Sequence, residues 1–137
     1  MKRKKEKSIE ADVVIPNNLA NPLEEYEIEV AWILAKHYNC AVRFLVAIDG
    51  YMVKTPDMVM RGVMWEMKSP CGNSKTTISN NLKNAKKQSA SIIFDNRRMK
   101  MSDPKIQADL MRELVKRKYI SRLIMITKDE KVVEIRM

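Results

Sequence analysis

The residues best suited to chemistry lie between Pro56 and Lys68: Pro56-Asp57, a short gap, then Glu66-Met67-Lys68. Glu66 and Lys68 are two apart, so on a strand they project from one face together with Met64, while Val63, Trp65 and Met67 take the other. An acid and a base side by side, backed by an apolar face, depart from the pattern of an ordinary core strand. Phosphodiester cleavage asks for this kind of set. It needs an activated water and compensation for charge on the phosphorus centre, which a divalent cation supplies. Mg²⁺ or Mn²⁺ takes one or two carboxylates, with the remaining ligands from waters and phosphate. Asp57 and Glu66 are the natural carboxylate pair, the backbone carbonyl of Met67 is a further oxygen ligand, and Lys68 would orient water or offset phosphate charge. Taken singly, Pro-Asp is a common turn element and Glu-x-Lys a common exposed charge pair. It is their combination at this gap that points to catalysis.

A further acid is expected from the preceding helix. Glu27 lies four residues before Ala31 and seven before Leu34, continuing the inward stripe, with Glu24 as the alternate. Both also fit the ordinary role of acids near a helix N-terminus. After Lys68, Ser69, Ser74, Thr76 and Thr77 crowd the start of the next helix, where free N–H groups suit either a phosphate or simple capping. Lys83, Lys86 and Lys87, with Arg97, Arg98 and Lys100, are candidate backbone contacts to nucleic acid. A solvated helix face would look the same. Gln88, one turn past Ala85, would hold water or the nucleic-acid backbone, or close a hydrogen bond at a helix end.

These groups need elements to position them. Apolar spacing predicts a helix over 23–38 with Ala31, Leu34, Ala35 and Tyr38 inward, Asn21 as N-cap and Pro22 at its first position. Strands are predicted over 41–48, 51–60 and 63–68, with Asp49-Gly50 a hairpin signal and Arg61-Gly62 a turn. Ile9 and 13–15 suit a short docked strand. Ser74 caps a helix to about residue 89, with Ile78, Leu82 and Ala85 inward. A strand over 91–94 follows, then a helix from Ser102 to about 118 with Ile106, Leu110, Leu114 and Val115 inward. Paired strands over 122–127 and 132–136 close the chain. Trp32 and Trp65 are expected in the core. Helices flanking a strand meander make a layered α/β domain with a mixed sheet.

The chain has 137 residues, enough for one core. We divide it into a basic, partly flexible N-terminal arm over 1–21 and a single domain over 22–137. Lys and Arg number 26 against 17 acids, a net charge of +9. The run Lys2-Arg3-Lys4-Lys5 accounts for four of these cations, so the remainder is still basic and favours a polyanionic partner, nucleic acid first. One histidine and two cysteines without metal-ligand spacing disfavour zinc. Unpaired cysteine usage fits a cytoplasmic site of action. No apolar stretch is long enough to span a membrane, and the N-terminus is not a secretory signal.

The acidic helix, strand pair, Pro56-Asp57 and Glu66-x-Lys68, in this order, resemble the PD-(D/E)xK nuclease superfamily. The stretch 65–74, then Thr77-Ile78, Asn81-Leu82-Lys83, Ala85, Gln88-Ser89, 92–95 and Arg97-Arg98, is similar to the C-terminal tRNase domains of CdiA-type contact-dependent growth-inhibition toxins. The resemblance implies a three-layer α/β/α core with a mixed central sheet. It also implies metal-dependent RNA cleavage with tRNA as the favoured substrate, and a dedicated immunity protein. It assigns catalysis to Asp57, Glu66 and Lys68, with Glu27 as the helix acid, and makes Gln88 and Ser74 family-like positions. A DNA endonuclease of a mobile element or phage, and a non-catalytic binding module, are the competing readings.

Overall fold

The computed structural model describes residues 10–19, 21–47 and 55–137. The basic run at 2–5, Ile9, the Asp49-Gly50 hairpin signal and the first part of the strand expected over 51–60 lie outside the described residues. Seven strands form one mixed sheet in the order β1 (Asp12–Val14), β2 (Ala41–Phe44), β3 (Met58–Met60), β4 (Val63–Lys68), β5 (Ser91–Asp95), β6 (Arg122–Ile126) and β7 (Val132–Arg136). Pairing is parallel for β1–β2, β4–β5 and β5–β6, and antiparallel elsewhere. Parallel neighbours need crossover connections. These are helices α1 (Glu25–Tyr38), α2 (Lys75–Ala85) and α3 (Asp103–Lys116). The short docked strand expected over 13–15 of the N-terminal arm is present as Asp12–Val14.

Alternation along the strands divides the interior in two. Val30, Ala31, Leu34 and Ala35 of α1 pack with Val42, Phe44, Met58, Trp65, Met67, Ile93 and Ile124. Ile78 and Leu82 of α2 and Ile106, Leu110 and Leu114 of α3 pack with Ile92, Phe94, Leu123 and Met125. Helices therefore cover both faces of the sheet. Glu66 and Lys68 pair in register with Ile92 and Phe94, so they share the face covered by α2 and α3.

Local chemistry explains the boundaries, including where they depart from the sequence-based expectation. Helix α1 starts at Glu25 rather than at Pro22, because Glu27 Oε1 accepts the Glu24 N–H at 2.8 Å and makes Glu24 the cap. It ends at Asn39, whose φ of 52° is the left-handed stop. Arg61 and Gly62 have φ of 53° and 79°, the two positive values that a tight hairpin between twisted strands requires. Ser74 and Ser102 cap α2 and α3 as expected. Helix α2 stops at Ala85, so Gln88 lies beyond it.

Two expected core residues are outside. Val115 is 72% exposed, since Leu110 and Leu114 already fill the inward arc and the next residue turns about 100° away. Trp32 is 37% exposed on the outer side of α1, beside Lys36, for the same reason relative to Ala31. Trp65 is buried as expected. Leu110→Ala is therefore expected to cost about 2–5 kcal/mol and Val115→Ala within about 0.5 kcal/mol. Equal losses on denaturant titration would contradict this placement of α3.

Candidate active site

Strands β2, β4, β5 and β6 end at one edge of the molecule, and α1, α2 and α3 begin there. Asp57 opens β3 at that edge. Antiparallel register pairs Met58 with Trp65, which sets Asp57 against Glu66. The Asp57 N–H donates to the Trp65 carbonyl at 3.0 Å. Its Oδ2 accepts the Met67 N–H at 2.7 Å. One carboxylate oxygen thus continues the ladder where β3 has ended and fixes Asp57 beside β4. Residues two apart on a strand present their backbone groups to the same neighbour, so the Met67 carbonyl faces the Asp57 side.

Glu66 is 4% exposed. Its Oε2 lies 3.3 Å from Lys68 Nζ, while Oε1 is buried without a hydrogen-bond partner among the described residues. Burial, then the neighbouring Asp57 charge, push Glu66 up to about 8, with Lys68 pulling the other way. Burial also raises Asp57, against the lowering influence of the Met67 N–H and Lys68. The two carboxyls sit in one desolvated place with one ammonium for partial compensation, a charge deficit of the kind a cation resolves. Glu27 is half-buried. Burial raises its carboxyl, the Glu24 N–H opposes that, and the Asp57 charge adds to it. Glu27 therefore caps its own helix and stands within electrostatic reach of Asp57. Among the described residues, no three His, Cys, Asp or Glu side chains are grouped closely enough to hold a metal ion. The acidic donor set is the pair Asp57 and Glu66.

Around this pair the fold builds a frame. Ser69, directly after Lys68, donates its hydroxyl to Asp95 Oδ2 at 2.8 Å. Asp95 is fully buried at the end of β5 and also accepts from Arg97 N at 3.0 Å and Nε at 2.9 Å. Arg97 continues to the Tyr26 carbonyl and to Glu29 on α1, both at 3.0 Å. Its guanidinium is 11% exposed and ties α1 to β5. Arg98 donates to the Ser69 carbonyl at 2.8 Å and stacks over Tyr26 at 4.1 Å. Asp95 was not a candidate from sequence. An acid ending an otherwise apolar strand, with an arginine two residues later, was the available signal.

The other candidates separate by position. Ser74 Oγ accepts the Thr77 N–H at 3.3 Å, so both serve the start of α2 at the carboxylate edge. Gly72 is glycine because a Cβ there would meet Thr77 Oγ1 at 2.3 Å. Lys83 and Lys87 lie toward the end of α2 and just beyond it, at the opposite edge. Gln88 is there too. Its Oε1 is buried without a partner among the described residues, and the adjacent Ser89 hydroxyl donates to the Met64 carbonyl at the start of β4. The structure thus brings Asp57, Glu66, Lys68, Ser69 and Arg98 to one edge with Glu27 nearby, and places Lys83, Lys87 and Gln88 elsewhere.

No helix among the described residues is long and apolar enough to cross a membrane. No curated protein matches the sequence. A chain of the CdiA-CT/CdiI toxin and immunity complex from Burkholderia pseudomallei has a similar fold, with a TM-score of 0.66 at 18% identity, over 92% of this chain and 99% of that one. The profile of the family described as "Contact-dependent growth inhibition CdiA C-terminal domain" matches residues 54–132, more than half of the chain and the whole segment from Asp57 through β6. The chain belongs to the CdiA C-terminal domain family of contact-dependent growth inhibition.

Proposed function

We propose that this chain is a metal-dependent endonuclease of PD-(D/E)xK type that cleaves RNA, with tRNA as its favoured substrate. The observation that carries the reading is the pair of desolvated carboxyls, Asp57 and Glu66, with Lys68 Nζ 3.3 Å from Glu66 where β4 ends. The donor set fits Mg²⁺ or Mn²⁺: two carboxylates, the Met67 carbonyl on the same side, and a buried Glu66 oxygen without a partner. When bound, such a cation supplies Lewis acidity and charge compensation to a phosphodiester.

The chain's own residues do the rest. Asp57 is oriented by the Met67 N–H and Glu66 by its strand face. Lys68 balances the acids in the absence of substrate and presents its ammonium to the scissile phosphate when substrate enters. Glu27, across from Asp57, is placed to hold or orient a water. Ser69, Ser74, Thr77 and Arg98 line the same edge and would contact the nucleic-acid backbone. Arg97 acts through the frame, since its donors are spent on Asp95, Glu29 and Tyr26. Family membership supports a toxin role. The complex in which the structural neighbour was found supports a proteinaceous immunity partner that would occlude this activity.

The test is incubation of the purified protein with total tRNA, plasmid and single-stranded DNA, with Mg²⁺, Mn²⁺ or chelator, beside Asp57→Ala. Discrete tRNA fragments that require both metal and Asp57 are expected. Cut DNA with intact tRNA would replace the substrate class. A folded protein that cuts neither would point to a binding module.

A further inference from the structure

We propose that the outer face of α2, extended by the C-terminal turn of α3, is a second nucleic-acid contact surface that receives a helical stem at the edge opposite the carboxylates. The choice of partner rests on the nuclease reading. The surface itself rests on charge and placement.

Between Glu66 and Asp95 the sequence contains no acidic residue and five lysines. Thr76, Asn80, Lys83 and Lys87 are all exposed, and their spacing of four, three and four puts them on one line along the helix. The line starts at the active edge and runs to the far one. Lys86 adds to its end. Acids three or four residues from lysines would stabilise a solvated helix face. Helix α2 has none, and Lys83, Lys86 and Lys87 form no ion pair among the described residues.

The second helix reinforces this end. Helices α2 and α3 both leave the carboxylate edge; the Arg117 side chain at the end of α3 donates to Ser79 of α2 at 2.9 Å, and past both ends the Lys86 ammonium lies 5.0 Å from the Tyr119 ring. Exposed Lys116 and Lys118 precede Tyr119, which is itself 39% exposed. Glu113 of α3 is engaged by Arg117 and Lys116. Compensation of two helix C-termini accounts for cations in the last turn. It does not account for Lys87 and Lys118, which lie beyond the C-caps Lys86 and Arg117. A helix of eleven residues is about 16 Å long, roughly five steps of duplex at ~3.4 Å each. A stem held at the carboxylate edge and lying along α2 would bring its backbone to these lysines. A very short oligonucleotide would not reach them.

Binding is measured in a Glu66→Gln background, so that cleavage does not enter, using RNA and DNA hairpins with stems of about four and about twelve base pairs across a salt titration. In the parent, the long stem is expected to bind at least about tenfold more tightly than the short one. In Lys83→Gln/Lys86→Gln/Lys87→Gln that gain is lost, and the slope of log affinity on log salt for the long stem falls by about two to three. Circular dichroism confirms that the triple variant is folded. A gain and slope equal to the parent's overturn the proposal. So does a parent that binds polyglutamate through these lysines and no stem, which would assign the surface to an acidic protein. Since cleavage is not read, a wild type that cuts nothing defeats the nuclease proposal and leaves this result to stand or fall by itself.

Discussion

Glu66→Gln is expected to lower cleavage by about 10²- to 10³-fold, the scale seen when one preorganised charge-stabilising group is removed from an active site, and yet to relieve a stability cost in chelator. The cause is proton linkage. Glu66 is held at about 8 by burial and by Asp57, against an ordinary 4.5. Between those values the native state keeps a proton that the unfolded state has released, so stability falls as pH rises, by about 1.4 kcal/mol for each pH unit. Below the unfolded value both states are protonated and the cost vanishes. From pH 5 to pH 8 the loss accumulates to about 3 kcal/mol. Glutamine does not titrate, so the stability of the variant lacks this slope, although its Lys68 loses a partner 3.3 Å away. Denaturant titrations of both proteins in chelator at pH 5, 6, 7 and 8 should diverge with rising pH. Parallel curves would show that Glu66 is not held in a penalised state. The physical point is that two acids held in one desolvated place cost stability once both ionise.

Asp95→Ala is expected to destabilise the protein by about 3 kcal/mol or more, the cost of removing one partner from a buried ion pair. Asp95 is fully buried, and Arg97, Ser69 and the Arg97 backbone all donate to it. Alanine strands a guanidinium that is 11% exposed, and its remaining links to Glu29 and Tyr26 keep the loss near the lower end. The substitution also frees Ser69 next to Lys68, so residual activity should fall beyond what the lost folded fraction explains. Asp95→Asn retains an acceptor for Ser69 and should cost less. If alanine and asparagine variants unfold at the same denaturant concentration as wild type, the strut between β5 and α1 carries no stability.

Much of the architecture is written locally. Ser74 and Ser102 before their apolar stripes, and Arg61-Gly62 between two alternating runs, specify ends and turns through hydrogen bonds and φ values within a few residues. The same holds for the face shared by Glu66 and Lys68, since period-two alternation needs no partner strand. The inward position of Glu27 was also legible, because it continues the stripe of Ala31 and Leu34, although its reciprocal bond with Glu24 moved the start of the helix. Trp32 and Val115 were misplaced because composition marks a residue as apolar, while the width of the packed arc decides whether it is inside.

Sequence by itself therefore determined the caps of α2 and α3, the hairpin turn, the family kinship and the acid–base pair on β4. Only tertiary structure decided that Asp57 stands against Glu66, that Asp95 and Arg97 brace that edge, and that the lysines of α2 end far from it. The reason is that side-chain facing follows from the chain's own period. Which ends of separate strands and helices become neighbours depends on strand pairing and crossover connections between residues distant in sequence.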